Sequence, residues 1–195
     1  MNSRDSARPY HHGELAPTLR EAARAILEEE GLEALSLRSV ARRAGVSHAA
    51  PYRHYPSREA LLADVASEGL ARLREELAQA ASAPGDRAER IVRIGGAYLR
   101  FGSRHAGLLR LMFGSEIPNR GDFPGLAEAT ALIGDDIGHA LGDPAAGLAA
   151  WAAMHGLAML ILDNVIDLGQ KQAGLAVAPS RAEILLRSFV EALQA

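Results

Sequence analysis

The chain has 195 residues, 48% of them hydrophobic, and a formal net charge of −3. That is enough apolar material for a sizeable core, and there is no chain-wide basic excess of the kind nucleic-acid binders often show. With no cysteine present, disulfides, thiolate zinc sites and thiol redox sensing are excluded.

The opening stretch "MNSRDSARPYHHGE" has no apolar h-region, so it does not read as a secretory signal. Leu15, Leu19, Ala22, Ala23, Ile26 and Leu27 then recur at three-to-four-residue spacing, which predicts a helix ending near Gly31. Ser36 is placed to cap a second, short helix with Val40, Ala41 and Ala44 on its apolar face, stopped by Gly45. Ser57, after Pro56, is placed to cap a long one, "SREALLADVASEGLARLREELAQAA". Asp86 and Glu89 form a capping box, Asp143-Pro144 is a strong helix start, and Ser180 with Glu183 forms another box before "AEILLRSFVEAL". The Gly/Pro-rich pieces near 114–125 and 169–179 read as loops. No strand alternation competes with these signals, so the fold class is all-α with about nine helices.

Charge is uneven. Residues 36–58 hold Arg38, Arg42, Arg43, Arg53 and Arg58 and no Asp or Glu, while later segments are net acidic. A solvated basic face would look the same. Spacing adds weight to a functional reading. Residues 36–44, a turn at Gly45-Val46 and a second helix from Ser47 make a helix-turn-helix of the usual length. In that motif the second helix enters the major groove, with its first residues at base edges. Here these are His48, Ala49 and Ala50, whose small side chains allow close approach and whose methyls suit thymine. Ser47 is the N-cap at the same surface. Pro51 would be the fourth helical residue, so the helix is expected to begin irregularly, with a 3₁₀ turn. Tyr52, Arg53, His54 and Arg58 supply donors suited to phosphate.

The run "ILEEEGLEALSLRSVARRAGVSHAAPYRHYPSREALLADV" resembles the tetracycline-repressor (TetR) family of bacterial transcription regulators over residues 10–66, through its G-V-S…Y-R-H-Y-x-S-R-E-x-L order. "WAAMHGL", 151–157, resembles a C-terminal regulatory domain with a W-x-x-x-H-G motif found in one branch. The resemblance implies a DNA-binding head, a helix linking it to a ligand-binding body, and a homodimer joined through its last two long helices. It implies phosphate contacts by Ser36, Tyr52, His54 and Arg58, a base contact by Arg38, and base-facing positions at His48, Ala49 and Ala50. Arg53 would face phosphate or solvent. Pro51 departs from the family's more usual leucine or isoleucine, which puts the pitch of the reading helix in doubt. The domain expectation is a basic arm at 1–12, a helix-turn-helix domain at 13–57, a linking helix at 58–83 and a ligand-binding and dimerisation domain at 84–195. The arm, with Arg4, Arg8, Tyr10, His11 and His12, either reaches an adjacent groove or is a disordered tail.

In the body, "PAAGLAAWAAMHGLAMLIL", 144–162, is uncharged and long enough to be a spanning candidate. Its Ala/Gly content and lack of a basic flank make it a buried helix in this reading, giving a cytoplasmic protein with no membrane partner. Trp151, His155, Met159 and Leu162 share one stripe, read as core or dimer interface, with a ligand-facing role for Trp151 or His155 as the rival. Tyr98, Phe101, Met112 and Phe113 complete the pocket candidates. No catalytic residue, metal ligand or cofactor is assigned. There is no E-x-x-H, H-E-x-x-H, G-x-S-x-G or P-loop, and Asp136-x-x-His139 stands alone.

The expected function is a ligand-responsive homodimeric repressor at a near-palindromic double-stranded operator, with an unidentified small-molecule effector. The alternatives are an activator or ligand-independent regulator of the same fold and, more distantly, a helical-bundle enzyme or a non-DNA interaction protein.

Overall fold

The computed structural model describes residues 15–166 and Ser188. Among them are seven α-helices, three 3₁₀ turns and no strand, so the all-α class holds with a helix count of seven rather than about nine. The difference has two sources. The helix expected after Ser180 lies outside the described residues, as does the 169–179 loop, and the segment after Ser47 is not α-helical. The chain divides into two compact units, one up to Leu61 and one from Leu62.

The first unit opens with α1 (Leu15–Glu29), which buries Leu15, Leu19, Ala22, Ala23, Ile26 and Leu27, the stripe its spacing predicts. It closes with the N–H groups of Glu30 and Gly31 both on the Ile26 carbonyl, at 2.8 and 3.1 Å. Helix α2 (Leu37–Arg43) is capped by Ser36, whose hydroxyl accepts from the Ser39 N–H while the Ser39 hydroxyl accepts from the Ser36 N–H. It buries Leu37, Val40 and Ala41, and Arg43 reaches back to Glu29 and Glu30 at 2.8 and 2.7 Å. These exposed pairs add little stability individually and link α2 to the end of α1.

Helix α3 (Arg58–Ser82) begins in the first unit and continues into the second. Its cap is Ser57, which accepts from the Ala60 N–H at 3.2 Å. The second unit adds α4 (Arg87–Arg104), α5 (Ala106–Phe113), α6 (Pro124–Leu141) and α7 (Pro144–Leu162). The Asp86–Glu89 box opens α4, and Asp143 caps α7 with Pro144 in its first turn.

Helices α6 and α7 form a tight antiparallel pair. A Cβ on Gly147 would collide with the Gly134 carbonyl oxygen and sit 2.6 Å from the Gly138 Cα, so the two backbones meet where neither has a side chain. Among the described residues, helix α7 is covered less than its composition suggests. Gly147, Ala150, Met154, Ala158 and Ile161 are buried, but only 28% of its apolar window is covered by the described residues, and Leu148 is 63% exposed. It is long and apolar enough to cross a bilayer by length and composition alone. It stops at Leu162, and Asn164 then turns the chain through a left-handed conformation (φ 57°).

Candidate functional site

The candidate DNA surface is built on the turn between α2 and α3. Gly45 takes φ +68°, a conformation that most residues resist, and the Val46 N–H then returns to the Ala41 carbonyl at 3.0 Å. Beyond it the expected α-helix does not form. Ala50 N–H bonds the Ser47 carbonyl at 2.9 Å, and a 3₁₀ turn, Pro51–Arg53, follows, with the His54 and Tyr55 N–H groups both on the Pro51 carbonyl at 2.9 Å. The cause is local. Pro51 has no N–H to give the Ser47 carbonyl, so the N–H of Ala50 takes that place in a tighter i→i+3 bond. The irregular start expected at Pro51 thus extends through the whole segment.

This reading loop is anchored by Pro51 and Tyr55, both buried. Between and before the anchors, Ser47, His48, Ala49, Tyr52, Arg53 and His54 are exposed, Tyr52 at 54%, and Ala50 is half-buried. Arg38 on α2 is exposed as well. So is Arg42, which belongs to the basic patch but not to the expected contacts. Among the described residues Arg38, Arg42 and Arg53 have no carboxylate partner, so their charge faces solvent uncompensated.

Two candidates are engaged within the head. The Ser36 hydroxyl accepts from the Ser39 N–H at 3.0 Å and lies 3.1 Å from the Ser39 hydroxyl. The Arg58 guanidinium donates from Nε to the Leu35 carbonyl at 2.7 Å and from Nη2 to the Leu32 carbonyl at 3.0 Å. Arg58 thereby ties the first turn of α3 to the chain leading into α2. Its partners are main-chain oxygens more than 20 positions away, which no motif spacing reveals.

In the body, four of the six pocket candidates gather in one cluster. The Tyr98 hydroxyl lies 2.9 Å from His155 Nδ1, and the Phe113 ring meets His155 and Trp151 edge-on at centroid distances of 4.9 and 5.5 Å. Tyr98 is fully buried, and burial pushes its hydroxyl well above the usual phenol range, offset only in part by the nearby Trp151 N–H. Among the described residues that N–H has no hydrogen-bond acceptor. Burial lowers the His155 pKa, which favours the neutral ring. Phe101 pairs instead with His105 at 5.1 Å, and Met112 packs under Gly69.

None of the six lines the open groove of about 610 Å³ that runs along the second unit. Its walls are the C-terminal half of α3 (Arg74, Glu75, Ala78, Ala81, Ser82), Arg90 of α4, and Asp136, His139 and Ala140 of α6, over a floor of Leu77, Ile94 and Ile137. Arg74 Nε donates to Asp136 at 2.5 Å, a pairing that raises the Arg74 pKa. Sequence reasoning missed this groove because empty volume between helices distant in the chain has no sequence signature.

Residues 19–65 match the family described as bacterial regulatory proteins, tetR family. Among solved structures, a Rhodococcus sp. RHA1 protein of unknown function is 31% identical, with 93% of this chain and 98% of that chain covered at a TM-score of 0.68. A bacterial regulatory protein in the tetR family from Rhodococcus RHA1 is 17% identical, with 90% and 96% covered and a TM-score of 0.67. A transcriptional regulator FadR from Bacillus subtilis, solved in complex with stearoyl-CoA, is 14% identical, with 88% and 97% covered and a TM-score of 0.67. No curated protein matches the chain.

Proposed function

We propose, from the premise that residues 19–65 belong to the tetR family of bacterial regulatory proteins, that this DNA-binding regulator is a cytoplasmic, ligand-responsive homodimeric repressor. One observation carries the reading: the acid-free segment 36–58 presents an exposed loop after α2, beside Arg38, Arg42 and Arg53, which have no carboxylate partner among the described residues. His48, Ala49 and Ala50 present small or donor groups to base edges, while Tyr52, Arg53 and His54 flank them at phosphate positions. Arg38 reaches a base from α2. Ser36 and Arg58 hold the segments that carry this surface, through the bonds they make within the head.

A second copy of the chain fits the face of α7 that the described residues leave uncovered. Leu148, Ala152, Gly156 and Leu160 lie at four-residue spacing, all exposed, and a Cβ on Gly156 would meet nothing within 4 Å. An apolar stripe of this kind is better covered by a twin helix than by water. A dimer places two reading loops on one operator, and the productive separation is about one helical turn, ~34–36 Å. A ligand that prefers one spacing shifts the population toward or away from the DNA-competent form. The stearoyl-CoA bound to one structural neighbour supports a small-molecule effector in a body of this shape.

Selection of genomic fragments by the purified protein is expected to recover a near-palindromic site of two half-sites about one helical turn apart. Recovery of fragments without shared sequence would overturn the operator reading. The interface is checked separately. Introducing two charges with Leu148→Glu and Ala152→Glu should weaken self-association by about 2–4 kcal/mol while sparing the helical fold. Unchanged mass by sedimentation would exclude this face of α7 as the contact.

A further inference from the structure

We propose that Pro51 is a specificity-determining residue of the DNA surface: by holding the reading loop in 3₁₀ turns, it aligns Ala49 rather than His48 with Tyr52. The inference rests on the DNA-binding reading above and adds to it which side chain meets the base beside Tyr52.

Three bonds set the course of the loop. The Ala50, Arg53 and His54 N–H groups donate to the Ser47, Ala50 and Pro51 carbonyls at 2.9, 3.2 and 2.9 Å, each across three residues. An α-helix capped by Ser47 needs a bond across four residues here, from position 51 to the Ser47 carbonyl, and proline has no N–H to make it. The backbone around Pro51 is otherwise close to the α form. Ala50 has α-helical angles, φ −62° and ψ −45°, and the Tyr55 N–H already reaches the Pro51 carbonyl across four residues. One missing N–H therefore separates the two courses.

The course decides which side chains align. Residues three apart eclipse in a 3₁₀ turn, so Ala49 stands over Tyr52 and His48 is rotated away by roughly 120°. In an α-helix His48 would come within roughly 40° of Tyr52, and Ala49 would move off by roughly 60°. All three are exposed. Tyr52 on its phosphate fixes the register, and the residue aligned with it meets the neighbouring base edge. Here that residue is Ala49, whose methyl suits the methyl of thymine. In the α form it would be His48, a ring that donates or accepts. Pro51 thereby places an apolar group, not a polar one, at that base.

The test compares the full-length parent with Pro51→Leu, which restores the N–H and keeps apolar bulk at a buried position, and with Pro51→Ala, which restores it with less bulk. Operators are selected by each protein, and every thymine of the parent's site is then replaced in turn by deoxyuridine, which removes only the methyl. One thymine per half-site is expected to cost the parent about 4-fold in affinity on losing its methyl, the worth of one buried methyl group. Both variants should lose that sensitivity and the thymine preference with it. NMR of the free proteins reads the loop directly: contacts from the His48 α-proton to the Tyr52 N–H, four residues on, are expected in the variants and not in the parent. Those contacts in the parent would overturn the inference. So would a parent operator insensitive to every methyl removal, or equal sensitivity in all three proteins whatever their overall affinity, which would leave Pro51 a structural role alone. A parent that selects no shared sequence would instead overturn the operator reading itself.

Discussion

Gly147→Ala is expected to be among the most destabilising single substitutions in the second unit. The added methyl would overlap the Gly134 carbonyl oxygen and lie 2.5 Å from the Gly138 N and 2.6 Å from the Gly138 Cα. All three are main-chain atoms, so no side chain can turn aside, and α6 and α7 must separate. Separation would open the packing of Trp151 over Gly134, where a methyl on that glycine would lie 3.7 Å from the Trp151 Cε3. With it would go the cluster of Phe113, His155 and Tyr98. A cost of about 3–5 kcal/mol follows, a large part of the ~5–15 kcal/mol that holds a typical domain together. Trp151 is the sole tryptophan, so urea unfolding followed by its fluorescence reads this region directly. Gly125→Ala is the control, because a Cβ there meets nothing within 4 Å and it sits in the first turn of α6. It should raise stability by up to ~1 kcal/mol. Equal midpoints for the two variants would mean that α6 and α7 are not this close.

Local features were legible in the sequence, and features made across the chain were not. The apolar stripe of α1 and the caps at Ser36, Asp86 and Asp143 each depend on side chains a few positions apart, and each forms as its spacing predicts. Pro51 was legible only in part. Its missing N–H signals an irregular turn, but the outcome also depends on Pro51 and Tyr55 being buried as anchors, which is a tertiary fact. The apolar run of α7 reads as buried because hydropathy does not say whether the covering surface lies in the same chain or in another. The aromatic residues chosen for a pocket share the chemistry of core residues, and Tyr98, Phe101 and Met112 are fully buried. The groove was invisible for the opposite reason, since its floor is three ordinary aliphatic residues and its walls bring alanine, polar and charged side chains together from three helices distant in the chain.

Arg53 and Arg58, five positions apart in the sequence, are expected to fail in different ways when replaced by alanine. Arg53 is exposed and has no partner among the described residues, so its loss should leave stability within ~0.5 kcal/mol of the parent. If it neutralises one phosphate, binding to every DNA sequence weakens, and the slope of log K against log salt becomes shallower by about 0.9. Arg58 holds two carbonyls of the head at 2.7 and 3.0 Å, so its loss removes two charge-assisted bonds and leaves part-buried oxygens without partners. The expected cost is about 2–3 kcal/mol of stability in the first unit. Because the guanidinium is engaged there, Arg58→Ala should reduce the fraction of protein able to bind while leaving the salt slope of the folded fraction at the parent value. Thermal unfolding together with operator titration at several salt concentrations separates the two. A shallower slope for Arg58→Ala with undiminished stability would place its guanidinium on phosphate and remove the bracing role assigned to it.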